Sequence, residues 1–287
     1  MKIPKRLEPL LQDGLIEEVL AQLMSGKEAE VYVVRSEGEI RCAKVYKELK
    51  QRSFQKQTQY MEGRKVRNSR RSRAMEKHSK FGRKEQETAW QNAEVDALYR
   101  LADAGVRVPR PYSFYEGVLL MELVVGAGGE VAPRLNDLQL NAALARDYHR
   151  LLIGEVVRML CAGLVHGDLS EFNVLVACDG PVIIDLPQAI DAAGNNNAGR
   201  LFARDVDNLA AYFGRYAPEL LATAYSEEIW HLYEKGRLRP ESTLTGCFAR
   251  SEKPADVRSV MREIDDSRKE ALARELGRMR MASGAKG

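Results

Sequence analysis

The chain is predicted to be α+β. A small antiparallel sheet with one helix occupies residues 1–124, and a mainly helical half follows over 125–240. Three observations predict this. In MSGKEAEVYVVRSEGEIRCAKVYKE (24–48) β-branched and aromatic residues dominate, interrupted by a turn at Ser36–Glu39, which is a hairpin signal. Pro109 and Pro111 introduce a second strand pair that ends in the apolar run Val118–Met121. Residues 136–163 and about 205–233 then read as helices. The composition, 45% hydrophobic and 30% charged over 287 residues, is that of a soluble globular chain. It excludes disorder along the whole length, a collagen-like repeat and a disulfide miniprotein.

Taken in order, Leu7, Leu10, Leu11, Leu15, Val19 and Leu23 stand at helical spacing, so an amphipathic segment broken at Gly14 is expected. In the hairpin that follows, residues 40, 42, 44 and 46 share one face, so Cys42 and Lys44 look the same way. Residues 47–84 have no core-facing stripe and are expected as a flexible basic loop. From Glu85 to Leu101, Trp90, Ala93, Ala97, Leu98 and Leu101 supply the apolar positions of a helix that ends before Gly105. Gly126, Gly128 and Gly129 suit a hinge. Residues 164–190 read as loop, strand, turn and strand. The tail, 241–287, carries ten basic and eight acidic residues and is expected as solvated helix or disorder without chemistry.

Charge is unevenly spread. Residues 47–84 hold 14 basic and 3 acidic residues, a local +11 that leaves the rest of the chain at −8. Such a segment suits an acidic partner, though a solvated surface loop has the same composition. Four scattered cysteines with no C-x-x-C argue against a structural zinc site and for a reducing, cytoplasmic setting. Cys42 and Cys161 lie among apolar residues and are expected to be buried. The N-terminus lacks a signal-peptide pattern, and no apolar run approaches the roughly 20 residues of a membrane span.

The densest chemistry lies in LVHGDLSEFNVLV (164–176) followed by CDGPVIID (178–185). Asp179–Gly180 between two apolar runs signals a tight hairpin, type I′ by preference. Folding there pairs roughly 174–177 with 181–184 and brings Asn173 and Asp185 to one end, with Asp168 just upstream. An amide carbonyl and a carboxylate converging there make a hard-oxygen site suited to magnesium. Any one of these residues alone would pass for a turn or cap residue; their convergence carries the functional reading. Lys44, mid-strand, becomes a phosphate clamp if a helix carboxylate such as Glu94 faces it. Alone, each would be an ordinary surface charge. Ser25-Gly26-Lys27 precedes the next strand, and backbone N–H groups in such a loop can cradle phosphates.

A strand lysine, a helix glutamate, H-x-D-x-x-x-x-N and a later aspartate make up the protein-kinase signature set. The particular stretches are SGKEAEVY (25–32), CAKVYKE (42–48), MELV (121–124), HGDLSEFNVLV (166–176) and IIDLPQAI (183–190). They resemble the RIO family of atypical serine/threonine protein kinases, and ARDVDNLAAYF (203–213) resembles that family's C-terminal signature. The short N-terminus and long basic insertion look like its type-one branch. The resemblance implies a two-lobed, protein-kinase-like fold with ATP and Mg2+ in the cleft. By it, Lys44 contacts the α- and β-phosphates and pairs with Glu94. Ser25 and Lys27 lie in the loop over the phosphates. Val31 and Cys42 roof the adenine and Leu175 lies below it. Met121 is the gatekeeper, and Glu122 and Leu123 offer backbone hydrogen bonds to the base. Asp168 is the catalytic base, Asn173 and Asp185 hold Mg2+, and Asp185 can itself accept phosphate during ATP turnover. The implied partner is a protein substrate with Ser or Thr acceptors; by its charge, the segment 47–84 suits RNA or a ribonucleoprotein, with Phe54, Tyr60 and Phe81 as stacking candidates too sparse to claim base recognition. The chain departs from the pattern at Met24-Ser25, where the family has Ser-Thr, and it lacks an A-P-E motif.

Two other readings compete. Small-molecule kinases of the aminoglycoside or choline type share H-G-D-x-x-x-x-N and a later I-D. They usually carry a second His or similar residue where this chain has Ser170-Glu171-Phe172. A catalytically silent nucleic-acid-binding module would not need the full catalytic set that is present here.

Overall fold

The computed structural model describes residues 3–26, 28–47 and 80–249, with the backbone alone for 80–91. Lys27, most of the basic segment with Phe54, Tyr60 and Phe81, and the tail beyond 249 lie outside the described residues or side chains. After a short helix α1 (Glu8–Gln12) come β1 (Glu18–Ser25), β2 (Ala29–Ser36) and β3 (Glu39–Tyr46). Helix α2 (Lys80–Asp103), β4 (Pro111–Tyr115) and β5 (Val118–Glu122) follow. The five strands form one antiparallel sheet in the order β1-β2-β3-β5-β4.

The helical spacing of Leu7 to Leu23 misleads beyond Gln12. Gly14, at φ +72°, takes a left-handed conformation that an extended helix cannot continue through. Val19 and Leu23 instead lie on β1, an edge strand with two irregularities in its pairing to β2. What buries α1 is the sheet: Leu7, Leu10 and Ile16 pack with Val34, Ala43, Val45, Val118 and Leu120. The β2–β3 turn follows its residue types, because Glu37 and Gly38 both have positive φ (53° and 74°), as a two-residue type I′ loop requires. Pleat alternation then sends Ala43 and Val45 toward α1 and Cys42 and Lys44 to the other face.

Helix α2 begins at Lys80, ahead of the expected Glu85, and its last turns bury Val95, Leu98 and Leu101. In the second half, α3 (Ala142–Cys161) is capped by Asn141, whose side chain accepts from the Leu144 N–H at 2.8 Å. Strands β6 (Leu164–Val165) and β9 (Ile190–Asp191) pair around the hairpin β7 (Val174–Ala177) and β8 (Gly180–Ile183). Helices α4 (Ala198–Phe213) and α5 (Tyr225–Glu234) complete the core. Among the described residues no helix is long and apolar enough to cross a membrane.

Four expectations are corrected. The hairpin pairs 174–177 with 180–183, so its loop is Cys178–Asp179, with the positive φ at Gly180 alone. Gly180 closes the ladder opposite Ala177, which a type I′ turn at 179–180 would forbid. Cys161 is exposed, because apolar neighbours in sequence are not neighbours on a helix face. The glycines at 126–129 form a closed turn, with Gly126 N–H donating to Glu130 O at 2.8 Å between the bridged Val125 and Val131. Helix α4 begins well before Asp205, which therefore sits in its interior. The first residues of the tail are also held: Glu228 on α5 accepts from the Thr245 and Gly246 N–H groups.

Candidate active site

Between the sheet and the β7–β8 hairpin lies a cavity of about 810 Å³. From the sheet it is lined by Val31, Cys42 and Lys44, from the segment after β5 by Met121, Glu122, Leu123 and Val124, and from the opposite side by Asn173, Leu175 and Asp185. The sequence predicts this grouping, but it also predicts Asp168 here, and Asp168 does not line the cavity. Lys44 Nζ lies 2.5 Å from Glu94 Oε1 on α2 and 3.4 Å from Asp185 Oδ1, fifty and 141 residues away in the chain. The Lys44 and Glu94 side chains are only 15% and 5% exposed. Burial alone would push the ammonium toward neutrality, but Glu94, Tyr46 and Asp185 hold its pKa above the ordinary lysine value. The lysine therefore presents a permanent positive charge to the cavity. Cys42 beside it has its thiol pushed up to about 12 by burial, and so remains a neutral apolar wall.

The far side of the site is braced by its own backbone. Asn173 Nδ2 donates to Asp168 O at 2.8 Å, which commits the amide nitrogen and leaves the side-chain carbonyl oxygen as an acceptor. The Ile184 N–H donates to Asn173 O at 3.0 Å and ties the two ends of the hairpin together. Asp185 follows in a left-handed conformation (φ +67°), which aspartate adopts more readily than most residues. Asn173 and Asp185 are hard-oxygen donors. Among the described residues no group of three or more His, Cys, Asp or Glu could hold a metal by itself. A magnesium site made of two protein oxygens and completed by phosphate oxygens and water is consistent with both facts.

Asp168 carries a 66% exposed side chain, with Arg204 Nη2 4.0 Å from its Oδ1. Its backbone N–H donates to His166 Nδ1 at 3.3 Å, so the imidazole proton sits on Nε2, 3.1 Å from Ile184 O. The residue that orders this loop is Asp205, which the sequence reading missed. Buried on α4, it accepts from the Gly167 N–H at 2.7 Å and the Leu169 N–H at 3.0 Å. Arg204 donates to Gly167 O, and Asn208 Nδ2 to Leu169 O at 3.0 Å. Burial raises the Asp205 carboxyl to about 6 despite these donors. A signal for it was present: Leu201, Phe202, Val206 and Leu209 form a buried stripe, and Asp205 interrupts it.

Two predicted contacts are placed differently. Ser25 does not line the cavity; its hydroxyl donates to Glu30 (3.2 Å) and accepts from Lys47 Nζ (3.0 Å), while Met24 and Gly26 face the cavity. Strand pairing and the Lys47–Glu30 ion pair (3.1 Å) draw the side chain back along the strand. The Glu122 N–H is spent on Arg110 O at 2.8 Å, so that backbone can offer the base only a carbonyl.

These groups divide three roles among themselves: a fixed cation, a pair of hard-oxygen side chains, and an exposed carboxylate on the adjoining loop. That division of labour belongs to the protein-kinase class. The family model of the RIO domain matches residues 30–226. The chain belongs to the RIO family of atypical serine/threonine protein kinases. It is 32% identical over 214 residues to the RIO-type serine/threonine-protein kinase Rio1 of Haloferax volcanii, covering 72% of this chain and 67% of that one. To Rio1 of Methanocaldococcus jannaschii it is 32% identical, covering 72% of this chain and 66% of that one. To the human serine/threonine-protein kinase RIO1 it is 30% identical, over 72% of this chain but 35% of the human protein. The chain thus spans about two thirds of the archaeal relatives and a third of the human one.

Proposed function

We propose that this chain transfers the γ-phosphoryl group of ATP, with magnesium, to serine or threonine hydroxyls of a protein, its own included. The observation that carries this reading is the buried Lys44–Glu94 pair with Asp185 3.4 Å from the same ammonium, inside a cavity of about 810 Å³. Lys44 orients the α- and β-phosphates, and Glu94 keeps it aimed. Asn173 and Asp185 would hold magnesium, which when bound neutralises charge on the phosphate oxygens. Asp168 accepts the proton of the attacking hydroxyl, and its exposure leaves room for a protein side chain. Val31, Cys42 and Leu175 enclose the base, with the Glu122 carbonyl and Leu123 backbone at its edge. Residues 47–84 would dock RNA or a ribonucleoprotein by charge, and the four free cysteines suit a cytoplasmic setting.

The test is incubation with γ-labelled ATP and magnesium. Acid-stable label on Ser or Thr is expected, absent in Asp168→Ala although that variant still binds ATP. Label that hydroxylamine removes, and that disappears in Asp185→Ala, would instead show an aspartyl-phosphate ATPase cycle. Wild-type turnover in Asp168→Ala would sink the assignment of the base.

A further inference from the structure

Arg107 lies between α2 and β4, outside every motif discussed above, and it meets four other elements. Its guanidinium forks onto Glu122 at the end of β5, with Nη1 3.0 Å from Oε2 and Nη2 3.1 Å from Oε1. The same group reaches Asp179 at the tip of the β7–β8 hairpin, with Nε 3.4 Å from Oδ2 and Nη2 3.4 Å from Oδ1. Its backbone N–H donates to Glu155 Oε2 on α3 at 2.8 Å, and its carbonyl accepts from the Ile183 N–H on β8 at 2.9 Å. Glu122 also accepts from the Arg110 N–H at 3.0 Å, so its carboxylate is held from two directions.

The positions of these partners matter. Glu122 and its neighbours Met121 and Leu123 line the cavity, and Ile183 lies two residues before Asp185. One residue therefore ties the strand end beside the base to the hairpin that carries Asn173 and Asp185. The Arg107, Glu122 and Asp179 side chains are 31%, 27% and 60% exposed. Solvent screens much of their Coulomb attraction, so the value of the fork is geometric. A planar, two-point contact fixes direction as well as distance, which a lysine ammonium cannot do.

We propose that Arg107 is a positioning residue for phosphoryl transfer: it holds the base-facing strand end in register with the metal-bearing hairpin. This rests on the kinase reading above. The experiment is steady-state ATP consumption by the full chain with magnesium, for wild type, Arg107→Met, Arg107→Lys, Glu122→Gln and the Met/Gln double variant. All are assayed where circular dichroism shows them folded. Arg107→Met should raise KM for ATP about tenfold, the value of one charge-assisted pair, with Arg107→Lys recovering less than half of the loss. Glu122→Gln should show part of the loss of Arg107→Met, which also gives up the Asp179 contact, and the double variant should be no worse than Arg107→Met. Should Arg107→Met not fold, Asp179→Ala at the exposed tip should still raise KM about threefold, with an unchanged melting temperature. A lower melting temperature with KM and kcat within twofold of an active wild type would overturn the proposal, and so would an unaltered KM in Asp179→Ala. A wild type that consumes no ATP overturns the kinase reading itself, and this proposal falls with it.

Discussion

Asp205 shows how much can rest on a carboxylate that touches no substrate. Its two oxygens hold the N–H groups on either side of Asp168, and so fix where that side chain leaves the backbone. Removing one acceptor from a buried pair of donors costs about 1–3 kcal/mol. Asp205→Asn is expected to lower kcat about 10- to 100-fold while KM for ATP stays within threefold, since the loop lies apart from the base. Protonation should act in the same direction. With the carboxyl raised to about 6, wild-type kcat should fall as pH drops below about 6, and the asparagine variant should lose that acid limb. A steady-state pH profile of both proteins checks this; an unaltered acid limb in the variant would assign the limb to another group.

Helix α3 carries a second buried titratable group, His149, packed against the rings of Phe213 and Tyr225 at 5.7 Å. Its Nε2 has no hydrogen-bond partner among the described residues, and burial lowers its pKa from 6.5 to about 4. A depressed histidine favours the fold above pH 6.5, and that stability is lost as pH falls through 4. Asp205 acts oppositely. Its raised carboxyl favours the fold below 3.8, and the contribution is lost as pH rises through about 6. Between pH 4 and 6 the two slopes oppose each other. His149→Leu removes one of them. Its urea-unfolding stability relative to wild type should improve by about 2 kcal/mol between pH 7 and 4.5. A difference between the two proteins that does not change with pH would show that His149 does not titrate on unfolding.

At the scale of the molecule the dominant feature is charge separation, +11 over residues 47–84 against −8 elsewhere. The six Lys and Arg within 64–73 are close enough in sequence to track one phosphate backbone. If all six meet phosphates, log K for single-stranded RNA should fall with log salt at a slope of about −4, and neutralising them should flatten it. Fluorescence anisotropy over a salt series measures the slope. Binding that ignores salt would remove RNA from the proposed partners.

Much of the site could be read from the chain because its parts are local. His166 to Asp185 span one hairpin, so counting residues about a tight turn suffices to bring Asn173 and Asp185 together, and even a one-residue error in register leaves them at the same end. Lys44 and Cys42 share a face through pleat alternation alone. The helical reading of residues 7–23 holds up to Gln12 and fails beyond it, because leucines at three- and four-residue spacing do not record whether a sheet edge lies nearby to claim them. Of the Ser25 hydroxyl, the Glu122 N–H, Asp205 and Arg107, Asp205 showed only as a polar break in an apolar stripe and the others could not be read at all. Each is defined by a partner supplied by another element: Lys47, Arg110, the loop at Gly167–Leu169, and Glu122 with Asp179. The sequence by itself determined the fold class and the gathering of Lys44, Asn173 and Asp185, because residue type and local spacing are properties of a chain. Only the tertiary structure decided which groups are already committed and which remain available. A hydrogen bond saturates its donor, and which donor it takes depends on which elements pack together.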